Sequence, residues 1–119
     1  MSCTEYDTYL HAHRQSLMGR ELEGEAFMRA ANLLNQAKDA PQNKKLLWEA
    51  LQYTSKLWTI VQADLNSPQT KMNDDLKANL LSLSLFVDRT CSEIIKKPHQ
   101  RMLQGLIDVN RNIAKGLLE

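Results

Sequence analysis

This 119-residue chain predicts an all-α fold, a compact bundle of four main helices. Three observations carry that expectation. Only four glycines and three prolines punctuate the sequence. No run alternates apolar and polar residues for long, and apolar positions recur at three- and four-residue spacing over long stretches. A chain of this length is expected to be one helical domain over 1–119, with 1–18 set apart as an N-terminal segment that could form a separate docked helix.

Composition narrows the class. A hydrophobic fraction of 43% with 24% charged residues reads as a packed globule and not as a disordered chain. Fifteen basic against fourteen acidic residues leave +1, which advertises no pull toward nucleic acid or a membrane surface. Cys3 and Cys91 lie far apart and fit neither a metal spacing nor a disulfide framework, so a reducing cytoplasm is expected. The N-terminus lacks the basic start and apolar run of a signal peptide. No stretch approaches the roughly 20 apolar residues of a membrane span. There is no internal repeat and no low-complexity linker.

Between 20 and 38, Leu22, Ala26, Ala30, Leu33, Leu34 and Ala37 recur at helical spacing. Glu21, Glu23 and Glu25 fall in the expected first turns, where carboxylates complement the positive helix end. Pro41 and Asn43 break the chain. A second helix follows from Lys44 to Leu65, with Leu47, Leu51, Thr54, Trp58, Val61 and Leu65 as its stripe and Leu46, Tyr53, Leu57 and Ile60 widening it. Residues 66–68 end that helix, and Asn73 or Asp74 caps a third that runs to about Lys96. Pro98 suits a first turn of the last helix, where its missing N–H is no loss. That helix runs to about Leu117 and buries Leu103, Leu106, Ile107, Ile113, Ala114 and Leu117. Upstream of all these, Tyr6, Tyr9, Leu10, His13 and Leu17 also sit at helical spacing, and Thr4 with Asp7 imitates a capping box.

The third helix is unusual. From Leu76 to Val87 its only charge is Lys77. Leu76, Leu80, Leu83, Val87 and Ile94 form one face; Ala78, Leu81 and Leu85 form another, and Phe86 lies on a third side. A helix apolar nearly all round must be covered on most sides. Two solutions are open: a central helix touched by three neighbours, or a face left free as a groove for a partner helix.

No catalytic constellation is present. His11, His13 and His99 are scattered, and on a helix His11 and His13 would point to different sides, so no metal is expected. Phosphate loops and nucleophile motifs are absent, and acidic residues are spread singly, so neither an enzyme nor a cofactor is expected. The basic cluster at 96–101 (KKPHQR) lies at a helix junction without the interleaved aromatics that stack RNA bases. Trp48 falls off the main stripe of its helix, on the side of Gln52, Ser55, Thr59 and Gln62, as a covered residue or an interface anchor. Asn110 has the opposite setting, inside an apolar stripe. Its amide needs a neighbouring partner, because burying it unpaired costs about 1–3 kcal/mol.

Leu57 and Trp58, Asp64, the stretch at 76–89 (LKANLLSLSLFVDR) and that at 106–117 (LIDVNRNIAKGL) together resemble the FlaF family, flagellar biosynthesis regulators of alphaproteobacteria. The resemblance covers roughly residues 44–118. It implies a cytoplasmic, non-enzymatic protein needed for flagellin production and export, one that binds flagellin and works beside FlbT, a regulator of flagellin translation. On that reading a groove lined by Leu81, Leu85 and Phe86, with Trp48 or Trp58 as aromatic anchors, captures an amphipathic flagellin segment. The alternatives are an RNA-binding post-transcriptional regulator of flagellin messenger and a homodimeric helical scaffold, so monomer and homodimer both stay open.

Overall fold

The computed structural model describes residues 17–67 and 73–118, with side chains in the first helix placed from Glu23 onward. Four helices account for nearly all of them: α1 (Leu17–Asp39), α2 (Lys44–Leu65), α3 (Asp74–Lys96) and α4 (Gln100–Leu118). No strand occurs among the described residues. The candidate helix before Leu17, with Tyr6, Tyr9, Leu10, His13 and the Thr4–Asp7 pair, lies outside them.

Local chemistry sets the boundaries. Asn43 starts α2 by accepting the Leu46 N–H at 3.0 Å, and Asn73 starts α3 by accepting the Leu76 N–H at 2.8 Å. Asp74 and Asp75 then occupy the first turn of α3, where the helix dipole favours them. Two expectations shift. The first helix begins at Leu17 and not at residue 20, so no acidic residue stands in its first turn and Glu21, Glu23 and Glu25 sit further along. Pro98 lies ahead of α4 and not in its first turn. His99 caps that helix instead, its Nδ1 accepting the Arg101 N–H at 3.2 Å while its carbonyl accepts the Leu103 N–H.

Loops 40–43 and 97–99 are too short to allow anything but antiparallel neighbours. The four helices form a square in which α1 packs on α4 and α2, and α3 on α2 and α4. The α1–α4 seam is the broadest because its residues are small. Ala30, Ala31 and Ala37 of α1 and Ala114 of α4 are buried in the core with the larger Leu106 and Ile107, and Gly24 lies against the last turn of α4. Lys38 Nζ donates to Gln104 Oε1 at 2.7 Å at the other end of the seam.

The centre is held across the diagonal. Trp58 on α2 is fully enclosed and meets Phe27 of α1 edge to face, with centroids 5.5 Å apart. Its Nε1–H donates to Asn110 Oδ1 at 2.9 Å, and Asn110 Nδ2 donates to the Leu106 carbonyl at 2.8 Å. The amide expected to need a neighbour therefore has two.

The leucine-rich α3 is not the central helix. It stands at a corner with two neighbours, and its contact with α4 is the slightest in the square. Ser84, Val87, Thr90, Cys91 and Ile94 are buried; Leu80, Leu81, Leu83 and Phe86 only partly so. Leu85 is left 66% exposed. The open-face solution to its all-round apolarity is the one this packing allows.

Candidate functional site: the outer face of α2 and α3

Helices α2 and α3 meet along a polar seam. Gln62 Nε2 donates to Asp88 Oδ2 at 2.8 Å and also to Ser84 Oγ. These bonds hold the two helices together near the middle of α3. On the Asp88–Ile95 side of that clasp a groove opens between them. Two adjoining hollows of about 370 and 310 Å³ share Trp48, Leu51 and Ile95 in their walls. Trp48 and Ile95 are 51% and 54% exposed, large values for such apolar side chains.

Helical geometry extends this face beyond the hollows. Leu81, Leu85, Asp88, Ser92 and Ile95 follow one another at steps of three and four residues down one side of α3. Trp48, Gln52, Ser55, Thr59 and Gln62 do the same on the facing side of α2. From residue 81 to residue 95 the strip measures about 21 Å at the helical rise. Of the five exposed large hydrophobics among the described residues, Trp48, Leu85 and Ile95 lie on it.

The five expected site residues thus divide. Trp48, Leu81 and Leu85 share the outer face, with Leu81 half-buried. Phe86 turns the other way, its ring tip 3.6 Å from where a Cβ on Gly105 would stand, so it fills the α3–α4 seam. Trp58 is core and not a surface anchor, because its ring and its N–H are both engaged inside the bundle. It does form part of the floor of a second cavity of about 330 Å³, lined also by Phe27, Leu65, Leu80 and Ile113. Leu76, 46% exposed, sits on that cavity's edge.

Ile95 is the residue sequence reasoning missed. Adjacent helical residues differ by about 100° in direction. On α3, with only two neighbours, Ile94 is buried and Ile95 exposed, whereas Leu57–Trp58 and Leu106–Ile107 are adjacent pairs covered on both members, so the sequence alone did not mark Ile95.

Cys91 reaches the groove wall but offers no reactive thiolate. Burial, with the nearby Asp88 carboxylate adding to it, pushes its thiol up to about 11. Among the described residues no group of three or more His, Cys, Asp or Glu side chains could hold a metal ion. His11, His13 and Cys3 lie outside them. No described helix is long and apolar enough to cross a membrane.

The sequence matches the family described as flagellar protein FlaF over residues 5–117. The chain belongs to the FlaF family. The match reaches well beyond the 44–118 span of the motif resemblance and takes in the N-terminal third as well. No curated protein and no solved structure matches the chain. Membership in FlaF makes this a flagellar protein.

Proposed function

We propose that this chain is a flagellin-binding regulator or export chaperone, and that it holds an amphipathic flagellin segment along the outer face of α2 and α3. One observation carries the reading: Trp48, Leu85 and Ile95, three of the five exposed large hydrophobics among the described residues, lie on a single strip in a member of a flagellar family. An amphipathic helix laid on such a strip buries its apolar side through anchors spaced by three and four residues. Flagellin segments that order only on assembly would need a face of this kind to avoid pairing with one another beforehand. FlbT, the RNA of the flagellin messenger and a second copy of the chain are the competing occupants.

Isothermal titration with the flagellin of the same organism, intact and with either terminus removed, tests this. The expected result is saturable binding with a negative heat-capacity change, lost with one terminus and weakened by Trp48→Ala. A hot-spot aromatic is worth about 2 kcal/mol or more, so that variant should bind roughly 30-fold less tightly. Absence of binding at micromolar concentrations would refute the reading.

A further inference from the structure

The apolar strip has a charged frame at one end. Lys44 and Lys96 line the hollow that holds Trp48 and Ile95, and that hollow has no carboxylate in its wall. Lys56 lines the adjoining one, where Asp88 is the single acid and already accepts the Gln62 amide. Lys45 and Lys97 stand exposed next to Lys44 and Lys96 in sequence. The first turn of α2 contains no acidic residue, and the nearby Glu49 and Glu93 are exposed and lie outside the walls of both hollows. A chain whose net charge is only +1 has therefore placed lysines in the walls around Trp48, the most exposed aromatic side chain among the described residues.

We infer that this end of the groove selects an acidic amphipathic helix: a partner segment whose apolar side chains settle on Trp48 and Ile95 while its Asp or Glu residues meet the Lys44, Lys56 and Lys96 rim. The inference rests on the strip being the docking face proposed above, and it adds the chemistry of the occupant and its polarity along the groove. Complementary rim charge mainly sets on-rate and register, and the apolar contacts supply most of the affinity. A lipid surface fits less well. Trp48 and Ile95 wall a concavity, whereas side chains that insert into a bilayer must project from the surface.

The test uses the full chain and two dye-labelled helical peptides. They share leucines at i, i+3, i+4 and i+7; one carries glutamates on its flanks and its twin carries lysines. Fluorescence anisotropy is read against this protein, Trp48→Ala and the double variant K44E/K96E, whose fold is checked by circular dichroism. The glutamate peptide is expected to bind about tenfold tighter than its twin at low salt, since several exposed ion pairs each contribute a factor of a few. Added salt should shrink the difference, K44E/K96E should abolish it, and Trp48→Ala should weaken both peptides. Equal binding of the twins, or a preference that survives K44E/K96E, overturns the inference. So does a single-stranded RNA oligomer that displaces the glutamate peptide at lower concentration, which would make the rim a phosphate site.

Flagellin titrated in parallel separates this inference from the one it rests on. Flagellin weakened by Trp48→Ala but indifferent to K44E/K96E leaves the flagellin reading standing and removes the acidic partner. A lysine-dependent glutamate peptide with no flagellin binding keeps the groove chemistry and removes flagellin as its occupant.

Discussion

Replacing Asn110 by Ala tests the internal scaffold that sets the docking face. Asn110 has no exposed surface, and its Oδ1 is the acceptor for the indole N–H of Trp58 at 2.9 Å. Truncation leaves that N–H in a dry core, a loss of about 1–3 kcal/mol. The void left by the carboxamide adds about 1 kcal/mol. Alanine's better helix propensity returns about 0.6 kcal/mol. The expected net loss is about 2–3 kcal/mol, a sizeable part of the roughly 5–15 kcal/mol that holds a domain together. Urea unfolding followed by far-UV circular dichroism reads it, with the slope unchanged and only the midpoint lowered. Trp58→Phe and the double variant complete a cycle. Removing donor and acceptor together should cost less than the sum of the separate losses by about 1–2 kcal/mol. A loss below about 0.5 kcal/mol for Asn110→Ala, or strict additivity in the cycle, would refute the claim that this bond ties α2 to α4.

Three further outcomes follow from the same packing. Thr54 is fully buried and its hydroxyl meets no partner among the described residues; Thr54→Val keeps the shape, drops the polar atom and should raise stability by about 1 kcal/mol in the same urea assay. A Cβ on Gly24 would stand 2.7 Å from Leu118 Cγ and 3.3 Å from Leu117 Cβ. Since Leu118 is a half-exposed side chain that can swing aside, Gly24→Ala should be nearly neutral, while Gly24→Leu should wedge α4 from α1 and lose about 1–3 kcal/mol by thermal unfolding. For Cys91, the folded thiol is raised from 9.0 to about 11, so the folded chain keeps its proton after the unfolded chain has lost it. That contribution to stability is whole below pH 9 and declines between pH 9 and pH 11; Cys91→Ala should flatten this part of a stability-versus-pH curve.

The parts of the fold that were legible in the sequence are those governed by local chemistry. Asn43 and Asn73 cap the helices they precede, and the stripe Leu51, Thr54, Trp58, Val61 and Leu65 is the buried side of α2. The start of α1 was misplaced because glutamates after residue 20 imitate a helix N-terminus, while the preceding turn, Leu17 to Gly19, carries no such mark. Pro98 misled in the same way, since His99 supplies the cap from the next position. For the site, apolar excess on α3 left a covered central helix and a free face both open, and the sequence could not say which side α2 and α4 would cover. Phe86 and Leu85 are neighbours in sequence, yet one fills a seam against Gly105 and the other meets solvent. Trp58 lies on the stripe and Trp48 off it, and that difference alone separated core from surface. Ile95 and the lysine rim needed the helices to be placed side by side before they read as one groove.

Hydrogen exchange of the full chain, alone and saturated with flagellin, tests the central claim that the outer face of α2 and α3 is the docking surface. The account predicts slowed exchange in 44–56 and 81–97, with the α1–α4 seam unchanged. Protection confined to α1 and α4, or to the Trp58 cavity, would contradict it and move the partner to another side of the bundle.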